Sequence, residues 1–357
     1  NLKNVFIYLI IKMKRFEIGE SRGRRFEEDY CISIDDPFLE DYCRLLHSKA
    51  VRRLVDKTQV ITAPDNIYVR SRRTHTDEVI AIGITISEKL GLNTSLVKSL
   101  ALAHDVGHPP YGHLGEEVLS EVNGKKFNHN IAGVVILQNI EKCDGRGLNL
   151  TYETLEGIVS HSTQGLSRTG QYRLYSNPLV HNEYNAVMFA DKIAYTTSDF
   201  NDAIRLGFID SNKLPDFALK LGNTQDERTY TLLKSLINES MIKEKVDFSE
   251  GEIFDFFTQL RKFMHEEVYY KLDDTLKKTL LKKVFEFFSN EPSFKNINPS
   301  AALLVLTDKE VNSMGNMLLK EGRITIRGLD HFGITESLSK LIGKNIDLFN
   351  PDLEWGK

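Results

Sequence analysis

The stretch ALAHDVGHPPYGHLGEE, residues 101–117, contains three histidines, two of which have an acidic residue close by in sequence. Upstream of it, apolar residues recur at helical spacing from Leu96 onward, after Asn93, a suitable N-cap. This pattern predicts a buried helix. Such a helix would deliver His104 and Asp105 at its C-terminal end.

The residues that follow cannot continue this helix. Gly107 ends it, the prolines at 109 and 110 hold the chain extended, and Gly112 permits a further bend before a helix resumes near residue 116. His108 and His113 are therefore predicted to lie on a stiff loop beside His104.

A metal site here needs ligands from other segments, because adjacent residues point about 100° apart on a helix. His75 lies on the apolar face of one predicted helix, and Asp191 lies on the apolar face of another over 183–199. A carboxylate on a buried face needs a metal, a cation or strong donors. With His104 and Asp105 they form a set of two histidines and two carboxylates, which suits Mn, Fe, Zn or Mg.

This ordered set resembles the signature of the HD-domain phosphohydrolase superfamily and, more narrowly, of the deoxynucleoside triphosphate triphosphohydrolases, the dGTPase family. The resemblance spans roughly residues 20–205. It rests on HDVGHPPYGHLGE (104–116), LHSKAVRRLVDKTQ (46–59), RSRRTH (70–75), and ADKIAY with Asp199 (190–199).

The resemblance implies a mainly all-α fold, with an HD-domain helical core, additional packing helices and a small C-terminal appendage. Whether the appendage includes short strands is left open, because apolar and polar residues alternate in RITIRG (323–328). The predicted organisation is an N-terminal arm (1–30), an HD-domain catalytic core (31–215), and a helical C-terminal region with the appendage (216–357).

Four residues are candidates for acid/base catalysis. Glu116 lies three residues after His113 at a helix start, close enough to orient its imidazole or stabilise its charge. His129 opens the next amphipathic helix, but the family usually has an acid where Asn128 stands, which leaves the tuning of His129 open. His108 completes the set. Whether His113 or His129 protonates the leaving oxygen stays open.

Residues 44–73 contain eight basic residues and two acids, a local excess that suits a polyphosphate. For any one of these residues, a solvated helix face with ordinary surface pairs is the alternative. By resemblance, Gln59 contacts a sugar, and Arg53 and Arg72 contact phosphate or other active-site groups.

Asp191, Tyr195 and Asp199 are spaced four apart and therefore lie along one stripe of their helix. Tyr195 is predicted to lie against a deoxyribose, and a role as a core aromatic residue is an equal alternative. Asp199 is predicted to accept a hydrogen bond from the 3′-hydroxyl of that sugar. His161 is interpreted as a histidine that supports the site from behind or lies in the core, although EGIVSHS (156–162) also fits the family pattern. His265 is interpreted as a structural or surface residue.

The resemblance implies a metal-dependent enzyme that hydrolyses a dNTP at the α-phosphorus to deoxynucleoside and triphosphate, with Mn, Mg or Fe as cofactor and Zn as a further alternative. It also implies a homo-oligomer, often a hexamer, with dNTP activators at subunit contacts. Two other functions stay open. One is an HD-type nucleotide phosphatase or phosphodiesterase. The other is a nucleotide sensor or single-stranded nucleic-acid binder with a vestigial site.

Composition narrows the class of protein further. A net charge of −4 over 357 residues argues against general attraction to nucleic acid or to a membrane. The three cysteines form no CxxC pattern, which favours a reduced, cytoplasmic protein. The apolar run over 5–11 is too short to span a bilayer and lacks a cleavage site. No membrane partner is expected.

Overall fold

The computed structural model describes residues 13–27, 34–61, 66–141, 146–161, 180–324, 338–344 and 346–356. Within these ranges the chain is helical, and its β structure is limited to two isolated bridges. The longer helices are α1 (Pro37–Leu46), α2 (Lys49–Arg53), α3 (Arg72–Leu90), α4 (Thr94–Ala103), α5 (His113–Asn123), α6 (His129–Asn139), α7 (Tyr152–Ser160), α8 (Asn182–Arg205), α9 (Asp216–Leu221), α10 (Gln225–Lys243), α11 (Glu252–Glu267), α12 (Thr275–Asn290), α13 (Pro299–Leu304) and α14 (Asp308–Glu321).

The predicted all-α class is thus confirmed. The last four residues of the possible strand over 323–328 and the whole apolar run over 5–11 lie outside the described residues. Among the residues that are described, no helix combines the length and apolar character needed to cross a membrane.

Three helices, α3, α4 and α8, pack against one another at the centre of the core, and α1 packs on α4. Helix α4 begins as predicted, because the Asn93 side chain accepts a hydrogen bond from the Leu96 amide. Helix α3 ends at Gly91, which adopts a left-handed conformation with φ of 68°. These packed helices bring His75 and the end of α4 to the same place.

The C-terminal helices pack directly on this core. Helix α10 contacts α3 and α8, α11 contacts α8, and α12 contacts α5. At the other end of the chain, the Phe16 amide donates to the Glu183 carboxylate, and Asn93 donates to the Phe16 carbonyl. The described part of the predicted arm therefore packs on its own chain. The boundaries at 30 and 215 stay predictions.

The loop between α4 and α5 turns where the sequence indicated. A Cβ atom at Gly107 would lie 1.9 Å from the His129 carbonyl oxygen, so only glycine allows this close approach to α6. Gly112 has φ of 58°, and a Cβ there would meet the Arg72 guanidinium at 2.4 Å. Helix α5 then begins at His113, three residues earlier than predicted.

Candidate active site

Imidazole and carboxylate side chains from three segments meet at the end of α4. His75 Nε2, on α3, lies 3.1 Å from Asp191 Oδ1 on α8, and His104 Nε2 lies 3.4 Å from Asp105 Oδ2. The His75–Asp105 and His104–Asp191 separations are both 3.9 Å. All four side chains are buried. The structure therefore brings the four predicted metal ligands together.

His104 indicates most clearly that this cluster fits a metal ion. Its Nδ1–H donates to the Ala101 carbonyl over 2.7 Å, so in the neutral ring Nε2 carries the lone pair. That nitrogen is buried and has no hydrogen-bond partner. A carbonyl bound to the other ring nitrogen is how proteins commonly orient a metal-binding histidine. Imidazole and carboxylate ligands together suit Mn, Fe or Zn.

Cations on either side keep both carboxylates ionised. An Arg72 Nη donates to Asp105 Oδ2 over 2.8 Å, and Lys192 Nζ lies 2.7 Å from Asp191 Oδ2. Burial by itself raises the pKa of Asp105, but His104 and Arg72 outweigh it and hold that pKa well below its ordinary value. Burial also acts to raise the pKa of Asp191, and Lys192 foremost holds it well below the ordinary value. Both carboxylates are thus in the form that binds a metal.

Glu116, in the first turn of α5, holds two imidazoles. Its Oε2 accepts from His113 Nδ1 over 3.1 Å, while Oε1 accepts the His129 backbone N–H over 2.9 Å and also contacts His129 Nδ1. Burial acts to raise the pKa of Glu116, but His129 and His113 outweigh it and keep that pKa well below its ordinary value. The His113 side chain is 70% exposed, whereas Glu116 is buried. His113 is therefore the member of this network that a bound molecule can reach.

His129 connects this network to the metal cluster. Its ring stacks on His108, with centroids 3.7 Å apart, and its Nε2 lies 3.2 Å from His161 Nε2. His161 Nδ1 donates to the Ile158 carbonyl, and its ring centroid is 5.3 Å from that of His104. Burial, with the imidazoles of His129 and His104, lowers the pKa of His161 to about 3. Sequence reasoning favoured a structural histidine at this position, and its only other signal was the EGIVSHS pattern.

The α8 stripe, defined as Asp191, Tyr195 and Asp199, runs from the metal cluster along the helix. The half-buried Tyr195 accepts a hydrogen bond from Arg261 Nε over 3.2 Å. Asp199 is buried and accepts from the Tyr269 hydroxyl over 2.9 Å. Burial raises the pKa of Asp199 to about 8. The far end of the stripe is therefore neutral at pH 7.

One face of α11 and the turn after it were missed by sequence reasoning. Arg261, His265 and Tyr269 are four apart, and two of them bond to the α8 stripe. Burial, with Arg261, His113 and Lys192 close by, lowers the pKa of His265 to about 4. His265 therefore lies near both the acid/base network and the metal cluster. The spacing of four that identified the α8 stripe was the available signal.

The predicted substrate-binding residues of the basic segment, residues 44–73, differ from one another in their contacts. Arg53 forms an ion pair with Glu141, with 2.8 Å between Nη2 and Oε1. Arg72 is 1% exposed and donates to Asp105 and to the Gln59 carbonyl. Gln59 Oε1 is buried without a hydrogen-bond partner. Contacts of these residues with phosphate or sugar stay predictions. Other arginines of the segment are in ion pairs: Arg44 with Glu40, Arg70 with Asp202 and Glu78, and Arg73 with Asp77.

Comparison with known proteins identifies a matching family and several similar proteins. The sequence profile of the HD domain family matches residues 72–196. A deoxyguanosinetriphosphate triphosphohydrolase-like protein of Caldanaerobacter subterraneus subsp. tengcongensis is 40% identical over 274 residues, which cover 75% of this chain and 76% of that one. A protein of the same description from Clostridium tetani is 39% identical over 296 residues, covering 78% and 81% of the two chains. A hypothetical protein from Aquifex aeolicus of known crystal structure is 20% identical with a TM-score of 0.48, covering 82% and 70%.

Proposed function

Because this chain belongs to the family of deoxyguanosinetriphosphate triphosphohydrolase-like proteins, we propose that it hydrolyses a deoxynucleoside triphosphate to the deoxynucleoside and inorganic triphosphate. It carries an HD domain over residues 72–196 and is a metal-dependent phosphohydrolase. The proposal adds the substrate and the bond that breaks.

The α8 stripe is the observation that carries the proposal. Asp191 lies in the metal cluster, and Asp199 follows eight residues later, about 12 Å along the helix axis. The cations Lys192 and Arg261 lie beside the first half of the stripe, and the neutral pair of Asp199 and Tyr269 closes it. Cations suit a phosphate chain, and a neutral hydrogen-bonding pair suits a sugar hydroxyl. A nucleotide combines these two requirements, whereas a simple monophosphate does not.

His75, His104, Asp105 and Asp191 would hold a divalent ion, which would supply Lewis acidity toward a phosphoryl oxygen and lower the pKa of water. Hydrolysis adds the oxygen of water to the α-phosphorus and breaks the bond to the 5′-oxygen of the sugar. The triphosphate leaves with the added oxygen, and the 5′-oxygen must take up a proton.

We assign delivery of that proton to His113. Its side chain is 70% exposed, and its Nδ1 is held by Glu116, so Nε2 is the ring nitrogen that remains to meet a bound molecule. The ionised Glu116 stabilises the protonated imidazole, as a carboxylate does in other acid/base pairs. His129 is buried and engaged at both ring nitrogens, so it is less suited to reach the leaving oxygen.

The sugar would lie against the second half of the stripe. Tyr195 presents a half-buried ring, and Tyr269 already donates to one oxygen of Asp199. The other oxygen of the neutral Asp199 carboxyl group would exchange a hydrogen bond with the 3′-hydroxyl. Gln59 offers a further acceptor, because its Oε1 has no partner.

Product analysis tests the proposal. The protein is incubated with each of the four dNTPs, singly and mixed, first in Mn²⁺ and then in Mg²⁺, and the products are separated by ion-exchange chromatography. We expect deoxynucleoside and intact triphosphate in equal amounts. Release of phosphate or pyrophosphate instead would overturn the proposal in favour of another HD-type phosphatase. Activity seen only in mixtures would indicate a second, activating nucleotide site.

Two variants control this experiment. Asp105→Ala removes a predicted ligand and should abolish turnover, and retained full activity would contradict the proposal. Asp216→Ala removes an acid whose side chain is 82% exposed and whose ion pair with Lys220 lies on the surface, so it should leave turnover unchanged. Folded protein that binds nucleotide without turnover in any metal would point to a sensor or a single-stranded nucleic-acid binder.

A further inference from the structure

We infer that Arg70 is a positioning residue for the sugar: it fixes Asp202, which lies beside Asp199, and thereby determines how strongly the protein selects a 3′-hydroxyl. The inference rests on the proposed function, in which Asp199 contacts that hydroxyl. Arg70 belongs to the basic segment, whose composition predicted a field of cations for a polyphosphate. Its contacts in the structure lie instead near the sugar end of the α8 stripe.

Arg70 binds Asp202, a residue of α8, through its main chain and its side chain. Its backbone N–H donates to Asp202 Oδ2 over 2.9 Å, and Nη1 donates to Oδ1. Asp202 is only 2% exposed, and hydrogen bonds between charged groups are about twice as strong as neutral ones. The two residues are 132 apart in sequence. This contact therefore holds the segment just before α3 against the last turns of α8.

The other edge of the Arg70 guanidinium group is also occupied. Nε and Nη2 donate to Glu78 Oε1 on α3 over 3.2 and 3.0 Å, and Nη2 donates to Gln225 Oε1 on α10 over 2.6 Å. Gln225 Nε2 donates in turn to Glu78 Oε1 over 3.3 Å. A guanidinium group whose edges bind two carboxylates and an amide does not present a free fork to a phosphate.

Asp199 lies within the field of these charges. It precedes Asp202 by three residues, so the two carboxyl groups are neighbours on one face of α8. Burial raises the pKa of Asp199 to about 8, and the Tyr269 hydroxyl acts in the opposite direction. The carboxylates of Asp202 and Glu78 also act to raise that pKa, whereas Arg70 acts to lower it. Arg70 therefore acts on Asp199 through its charge as well as through Asp202.

Loss of the Arg70 charge would affect the sugar end of the stripe selectively. Arg205 also binds Asp202, but its side chain is 34% exposed, so water screens its charge more strongly. The end of α8 would lose its charged contact with α3, and Asp199, one turn away, would lose its orientation toward the 3′-hydroxyl. Asp191 lies eleven residues before Asp202, about 16 Å along the helix axis. Binding of the phosphates near the metal cluster should therefore be unchanged.

Equilibrium binding tests the inference without turnover. The affinities of dGTP and of 2′,3′-dideoxyguanosine triphosphate, which differs only in lacking the 3′-hydroxyl, are measured by calorimetry in the presence of a chelator. We expect the wild type to bind dGTP about tenfold more tightly, the factor that roughly one hydrogen bond supplies. Arg70→Gln should bind dGTP more weakly and the dideoxynucleotide as before, so the ratio of affinities should fall to about twofold or less.

Two further variants show whether Arg70 acts through Asp202. Asp202→Asn keeps the shape of the side chain, removes its charge, and should lower the ratio as Arg70→Gln does. The double variant should lower it no further than either single variant, because residues that act as one unit are not additive. A further fall in the double variant would overturn the inference. Circular dichroism checks folding, and Asp202→Asn alone decides if Arg70→Gln does not fold.

Arg73→Gln is the matched control. Arg73 lies in the same basic segment but pairs with Asp77, which is 53% exposed on the surface of α3, so the variant should keep the wild-type ratio. Equal weakening of both nucleotides by Arg70→Gln would overturn the inference, because a lost phosphate contact or a general loosening has that effect. A wild-type ratio near one would also overturn it.

Failure of the inference is distinguishable from failure of the proposed function. Selective binding of dGTP, lost in Arg70→Gln, would support the inference even if product analysis found phosphate or pyrophosphate. Release of intact triphosphate together with equal weakening of both nucleotides would leave the proposed function in place and refute the role of Arg70.

Discussion

Asp308, the first residue of α14, holds the active-site loop from the C-terminal region. Its Oδ1 accepts from the Tyr111 amide and its Oδ2 from the Thr58 amide, each over 2.8 Å. Tyr111 lies between His108 and His113 and has φ of 59°, a conformation that costs a non-glycine residue about 1 kcal/mol or more. The Tyr111 hydroxyl also donates to the Asp308 carbonyl over 3.3 Å. We predict that Asp308→Ala loosens this loop.

The expected magnitude follows from the groups left without partners. The buried Tyr111 amide loses the acceptor that Asp308 provides, which costs about 1–3 kcal/mol, and the half-buried Thr58 amide loses less, about 1 kcal/mol. Burial raises the pKa of Asp308, so removing the carboxyl group also relieves a desolvation cost. We therefore expect Asp308→Ala to lower the free energy of unfolding by about 2–3 kcal/mol. Asp308→Asn keeps one acceptor and should cost about half as much.

Urea unfolding and steady-state kinetics measure the two consequences. Displacement of the loop should lower kcat by roughly 10²-fold, as small misplacements of catalytic groups do. Asp216→Ala is the matched control, because Asp216 is also the first residue of a helix but is exposed, and it should change stability by less than about 0.5 kcal/mol. If Asp308→Ala matches the control in both measurements, the loop does not depend on this anchor and the reasoning is refuted.

Three further predictions concern buried ionisable groups. Glu116→Gln removes the charge that holds His113 and should lower kcat by about 10²–10⁴-fold; a loss under tenfold in steady-state assays would contradict this role. The pKa of Asp199 is raised to about 8, so its stabilising contribution is present below pH 4 and is lost as the pH rises to 8. Asp199→Asn should therefore gain stability relative to wild type between pH 5 and 8, and urea midpoints that keep a constant difference would refute this. Lys57 donates to the carbonyls of His108 and Leu304, and burial lowers its pKa to about 7, so its contribution to stability rises from pH 7 to 10. The difference in unfolding free energy between wild type and Lys57→Met should rise over that range, and a flat difference would argue that Lys57 stays protonated in the folded state.

Local sequence patterns predicted the helices and the loop on which the site residues lie. The Asn93 cap, the Gly91 stop and the Gly and Pro residues of the loop act through backbone conformation and near-neighbour hydrogen bonds. Helical periodicity identified the buried faces that bear His75 and Asp191, because burial on one helix face leaves a pattern within a single segment. These signals are local, so they can be recognised without knowing which segments meet.

Contacts between residues far apart in sequence could not be predicted from these local patterns. The contact between Asp308 and Tyr111 joins residues 197 apart in sequence, and Arg261 reaches Tyr195 across 66. No periodicity encodes such partners, since each helix alone shows only that a face is buried or polar. The basic segment illustrates the limit, because its composition predicted one phosphate-binding field but could not indicate that Arg53 pairs with Glu141.

The sequence by itself determined the broken helix at the loop and the four candidate ligands, because these depend on local conformation and on the repeat of apolar residues, and its resemblance to a known family implied the helical class. Only the tertiary structure decided that His161 faces His129, that α11 lies along the α8 stripe, and that α14 anchors the loop. The physical reason is that side-chain direction and hydrogen-bond pairing across helices depend on how the helices pack. Packing is set by the shape of the whole core.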